Sequence, residues 1–154
     1  MSRNPIISFF LVLNIVGLFL IYDNKSHSKE LPNNQTVTDT IIRKYTEWEI
    51  LIFALIWQES KGNPNAENKG AVGVLQITPI YVKEANNIVG YVKYTLEDRK
   101  SVEKSIEMFN IVQGKHNKEK SIDRAIKLHN PTAGYWYYKS VKNYFNLLKY
   151  INSI

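Results

Sequence analysis

Residues 46–66 read TEWEILIFALIWQESKGNPNA, and the folding of this stretch decides the rest of the chain. Thr46 and Glu49 stand three apart, the spacing of a capping box. From Ile50 to Trp57 there is no charge. The spacing predicts a helix over about Glu47 to Ser60 that is hydrophobic nearly all round, and such a helix is buried on most faces. Gly62, Asn63 and Pro64 end it. Glu59 stands at its C-terminal end, on the face of Ile52, Leu55 and Ile56.

That position has a chemical consequence. Desolvation disfavours the carboxylate anion, and the negative end of the helix dipole repels it, so the two effects raise the pKa together. A carboxyl group still protonated near neutral pH is what a general acid needs to cleave a glycosidic bond. The plain alternative is a helix-end glutamate turned to water.

Working outward, NKGAVGVLQITP (68–79) places Gly70 and Gly73 about a tight turn, where backbone can approach a ligand or the Glu59 loop closely. Gln76 is a polar side chain inside an apolar run, suited to hydrogen-bonding a sugar or the acid. Thr78-Pro79 supplies an N-cap and a proline at the first helical position, predicting a second helix toward Asn86. Thr95 to Asp98 is predicted to cap a third helix, with Val102, Ile106, Phe109 and Val112 or Gln113 on one face. Ser121 opens a fourth through Ala125, Ile126 and Leu128. A last helix over Tyr135 to Ile151 carries the stripe Tyr138, Val141, Tyr144/Phe145 and Leu148. No segment alternates like a strand, so the expected class is mainly α.

Taken together, ESKGNPNA (59–66) and GAVGVLQITP (70–79) resemble the core of the soluble lytic transglycosylases, the goose-lysozyme-like family that cleaves peptidoglycan. That family carries an E-S pair closing a helix, an N-P-x-A loop, and then G-x-x-G-hydrophobic-x-Q-I-x-P. A fainter likeness continues in AIKLHNPTAGYWYYKSV (125–141), where the family reads A-Y-N-A-G-P and later Y-x-x-x-V. The resemblance implies a lysozyme-like single domain with Glu59 as the catalytic acid/base. It implies Ser60 and Gln76 as hydrogen-bonding neighbours of the acid, Gly73 in the glycan cleft, Asn130 as a cleft residue and Tyr137 as the residue that orients the acid. This chain departs from the pattern at Pro131-Thr132, where the family has small residues, and at His129, where it has an aromatic. Of the aromatic run YWYY (135–138), Tyr137 alone is assigned a site role; sugar stacking and helix packing both account for the others.

The resemblance further implies one carboxyl group working with the substrate: Glu59 protonates the leaving oxygen, the N-acetyl group assists, and Glu59 then takes the proton of the sugar's 6-hydroxyl. The product is a 1,6-anhydromuramyl end. The alternatives are a hydrolytic muramidase of the same fold and a non-catalytic peptidoglycan-binding or assembly protein.

Composition bounds the partners. The chain has 154 residues, 44% hydrophobic and 22% charged, enough for one ordinary globular domain. Its net charge of +6 suits an anionic partner, but Lys and Arg are scattered, and no nucleic-acid partner is expected. Cysteine is absent, which removes disulfides, thiolate nucleophiles and zinc-thiolate sites. His27, His116 and His129 are far apart, so neither a metal site nor a cofactor is expected.

The N-terminus follows another pattern. Arg3 precedes the apolar run Ile6 to Tyr22, at the short limit for a bilayer span. Residues 1–22 are expected to be a signal peptide or membrane anchor, 23–40 a polar linker, and 41–154 the folded domain. The protein is therefore expected to work outside the cytoplasm, in the periplasm or cell envelope, possible service to a secretion, conjugation or phage apparatus being an analogy only.

Overall fold

Thr46 starts the fold as its spacing requires: its hydroxyl accepts from the Glu49 amide, and the Glu49 carboxylate accepts from the Thr46 amide. The helix that follows, α1 (Glu47–Ser60), buries every residue from Ile50 to Ile56. The computed structural model describes residues 44–154. The expected export segment and linker lie outside the described residues.

Beyond α1 the chain forms a two-residue hairpin, β1 (Glu67–Asn68) against β2 (Ala71–Val72), antiparallel, with Glu67 opposite Val72. Val72 also bridges to Ile77. The sequence reading expected no strand here, because pairs this short have no alternation to read. Next come α2 (Pro79–Val89), capped by the Thr78 hydroxyl, and a 3-10 turn (Glu97–Lys100). Three more helices follow: α3 (Val102–His116), α4 (Ile122–His129) and α5 (Tyr135–Ile151). Among the described residues the fold is mainly helical, and none of these helices is long and apolar enough to cross a membrane.

Two expected boundaries shift. The second helix runs three residues past Asn86, to Val89, and Gly90, with φ of 85°, closes it with a left-handed cap. The third helix begins at Val102 rather than near Thr95. The Asp98 carboxylate turns back on the Thr95 amide and hydroxyl, which makes a local turn, and the extended backbone of Ser101 then restarts the chain as a new N-cap.

The core is α1 between its neighbours. α5 lies antiparallel to it, as the side-chain pairs show in order: Tyr137 with Glu59, Ser140 with Gln58, Tyr144 with Trp57, Lys149 with Glu47 and Asn152 with Tyr45. As numbers rise on α5 they fall on α1. α2 packs on α3, and α3 reaches α4 through buried Gln113, which donates to the Ala125 carbonyl at 3.2 Å. Asn117 holds the intervening turn, donating to the Ser121 carbonyl and accepting from its amide. This frame fixes the C-terminal ends of α1 and α4 beside the N-terminal end of α5.

Candidate active site

Glu59 occupies the last turn of α1, its side chain 13% exposed. Burial raises its pKa; the Tyr137 hydroxyl and then the Lys61 ammonium oppose that rise. The carboxyl group is held unevenly. Oε1 accepts from the Tyr137 hydroxyl on α5 and lies 3.6 Å from Nε2 of His129 on α4. Among the described residues no hydrogen bond engages Oε2. Burial and the neighbouring carboxylate drive the Tyr137 pKa far upward, so this tyrosine stays protonated and remains a donor.

Ser60 does not touch the acid. Its hydroxyl lies 2.9 Å from the Val74 carbonyl and 3.2 Å from that of Ile56, and it accepts from the Gly62 amide. It therefore ties the end of α1 to the glycine loop. Lys61 closes the helix with φ 56°, and its ammonium reaches the Trp57 carbonyl and lies over the Trp57 and Tyr144 rings.

Gln76 likewise works on the loop. Its φ is 47°, in the left-handed region that a non-glycine residue enters at a cost. Its amide donates to the Ala66 and Gly73 carbonyls at 3.0 and 2.9 Å, which holds that conformation and leaves Oε1 without a partner among the described residues. The expectation that Ser60 and Gln76 hydrogen-bond the acid is corrected: both instead bond the backbone of the loop that follows α1. Gly73 is required for a reason the sequence reading did not give. Its φ is 83°, and a Cβ there would meet the Arg99 carbonyl oxygen at 1.8 Å. Arg99 in turn donates to the Gly70 carbonyl at 2.9 Å.

Asn130 caps α4, its amide bonding the Ile126 carbonyl and its side chain accepting from Thr132. No hydrogen bond links it to Glu59. Of the aromatic run, Tyr137 turns to Glu59 and Tyr138 to Asp123, while Tyr135 and Trp136 are exposed beneath the Lys139 ammonium.

His129 is the neighbour of the acid that the sequence reading passed over. It shares a helical face with buried Ala125 and Ile126, four and three residues before it, and this periodicity could have marked it as buried. Its side chain is 3% exposed, its ring edge-on to Tyr81 and Phe109. Burial pushes its pKa down to about 4, against a weak upward pull from the Leu75 backbone, so the imidazole is neutral at neutral pH.

The family model of the transglycosylase SLT domain matches residues 36–126, more than half of the chain. The chain belongs to the transglycosylase SLT domain family. The match spans Glu59, Ser60, Gly73 and Gln76 and ends within α4, before His129, Asn130 and Tyr137. Membership supports the lysozyme-like fold and, at the level of the family, cleavage of peptidoglycan, an extracytoplasmic polymer. No curated protein and no solved structure matches the SLT-domain chain.

Proposed function

We propose that this SLT-domain protein is a peptidoglycan lytic transglycosylase that cleaves between N-acetylmuramic acid and N-acetylglucosamine, with Glu59 as its single acid/base. The observation that carries the reading is the Glu59 carboxyl itself: buried at the end of an apolar helix, raised in pKa by that burial, and fixed through Oε1 by Tyr137. In the forward step Glu59 gives its proton to the leaving glycosidic oxygen as the bond to the muramyl C1 breaks. The substrate's N-acetyl group supports C1, and Glu59 then takes the proton of the 6-hydroxyl as that oxygen closes on C1. Atoms balance without water, and Glu59 ends protonated as it began.

A hydrolase of the usual kind needs a second carboxylate. The downstream acids Glu67 and Glu84 are engaged elsewhere, Glu67 beside Lys100 at 3.8 Å and Glu84 on His116 at 2.7 Å. Both observations favour the single-carboxyl route. Ser60, Gly73 and Gln76 serve as the wall of the glycan cleft and Asn130 as its lip, with the N-terminal 6–22 segment carrying or anchoring the enzyme outside the cytoplasm.

Mass spectrometry of glycans released from purified sacculi separates the readings. The proposal expects 1,6-anhydromuramyl ends. Ends one water heavier identify a muramidase, and no released glycan at all identifies a binding or assembly protein.

A further inference from the structure

We propose that His129 is a positioning residue for Glu59, its Nε2–H joining the Tyr137 hydroxyl on Oε1 so that the acidic proton stands on Oε2. The inference rests on the reading of Glu59 as the acid/base, and it begins from the imbalance of the two carboxyl oxygens. Oε1 has the tyrosine hydroxyl and, at 3.6 Å, the imidazole; Oε2 has no partner among the described residues. An oxygen that already accepts the tyrosine hydroxyl and faces a second donor is a poor place for a proton. The other oxygen is then the one that carries the proton to the glycosidic oxygen and later receives the one from the 6-hydroxyl.

The ring's own proton belongs on Nε2. The Leu75 backbone pulls on the ring, yet buried Nδ1 completes no hydrogen bond among the described residues, and an N–H left there would forfeit most of its bond. On Nε2 it faces a carboxylate oxygen. The separation is slightly longer than a hydrogen bond, and contacts of this kind commonly tighten when substrate binds. The ring cannot swing away, since Tyr81 and Phe109 hold it edge-on at centroid distances of 5.9 and 5.6 Å.

The groups around the pair set the sign of its pH behaviour. Glu59 is faced by Lys61 from the end of its own helix, by Tyr137 from α5 and by His129 from α4. His129 is faced by Glu59 from α1 and Tyr81 from α2; Phe109 of α3 brings no charge. Because burial keeps the imidazole neutral, it aligns the carboxyl without adding a cation that would strip its proton. Removing a neutral donor from the anion must raise the Glu59 pKa.

The test uses the full chain with His129→Phe, which preserves the flat ring, and His129→Gln, which offers an amide donor. Two readouts are taken: kcat and KM on sacculi across pH, and the titration midpoint of the Glu59 side-chain carbon by NMR without substrate. The expected result for His129→Phe is a kcat about tenfold lower at similar KM, on the scale of one hydrogen bond to a charged group. Its Glu59 midpoint, and with it the alkaline limb of kcat, moves upward, and His129→Gln restores both in part. An unmoved Glu59 midpoint in His129→Phe overturns the proposal, whatever happens to the rate. If the parent protein cleaves no glycan, the proposed activity fails by itself, and the NMR midpoints still decide the role of His129.

Discussion

At the scale of the residue, Glu59 is set by three opposing influences of different origin. Burial raises its pKa most strongly, the Tyr137 hydrogen bond lowers it, and Lys61 lowers it further. Tyr137→Phe removes the second influence only. The Glu59 midpoint then rises, so the alkaline limb of the activity profile moves up while the maximal rate falls about tenfold, the cost of a hydrogen bond to a charged group. A pH–rate profile of the variant checks both; a downward shift of the limb would contradict the assigned donor. The placing of Glu59, half-buried in the last turn of an apolar helix, was legible in the sequence because everything that shapes it locally, the apolar run, the helix end and the Gly-Asn-Pro loop, lies within a few residues. His129 was not. Its partner is far upstream, and nothing in residues 125–130 alone says which helix end it will face.

Among the elements, helices with local caps were readable to the residue. Thr46 and Ser121 cap where their spacing placed them, and α5 spans the range that its apolar stripe requires. The third helix was displaced because Thr95 and Asp98 satisfy one another in a turn, an outcome that capping chemistry permits as readily as a helix start. The 70–77 loop hid more. Gly73 and Gln76 looked like ligand residues, whereas their contacts in the fold are to backbone: the Arg99 carbonyl against Gly73, and the Ala66 and Gly73 carbonyls under the Gln76 amide. Gly73→Ala combines a forbidden φ with a backbone clash, so it is expected to lose about 3 kcal/mol or more of stability. Chemical denaturation checks this, and a loss confined to activity at unchanged stability would return Gly73 to a purely ligand-facing role.

For the whole molecule, the α1–α5 pairing and the α3–α4 turn hold three helix ends together, and the buried imidazole carries a cost for the domain as well as a role at its site. In the folded state burial pushes the His129 pKa down to about 4 from its ordinary value of 6.5. Between those two pH values the unfolded chain binds a proton that the folded chain refuses. Stability from this group is therefore complete above 6.5 and is lost as pH falls toward 4, by about 3 kcal/mol in all. Thermal melts of the parent and of His129→Phe across this window are expected to diverge, with the variant keeping its Tm better as pH falls. Parallel curves would mean that the ring is solvated. The mainly helical class was legible from periodicity, but the way α4 and α5 close on the end of α1 depends on long-range packing that no local window contains.

The most direct test of the central claim is Glu59→Gln in the full chain, assayed on purified sacculi by release of glycan. Gln keeps the shape and an acceptor for Tyr137 but has no acidic proton to give. Since burial disfavours the Glu59 anion, stability from its raised pKa is present at acid pH and lost as pH rises, so the variant is expected to melt no lower than the parent at neutral pH. Release of anhydromuramyl glycan should fall by about 10²-fold or more, the scale of general acid–base catalysis. A folded Glu59→Gln protein that releases glycan at the parent's rate would contradict the account.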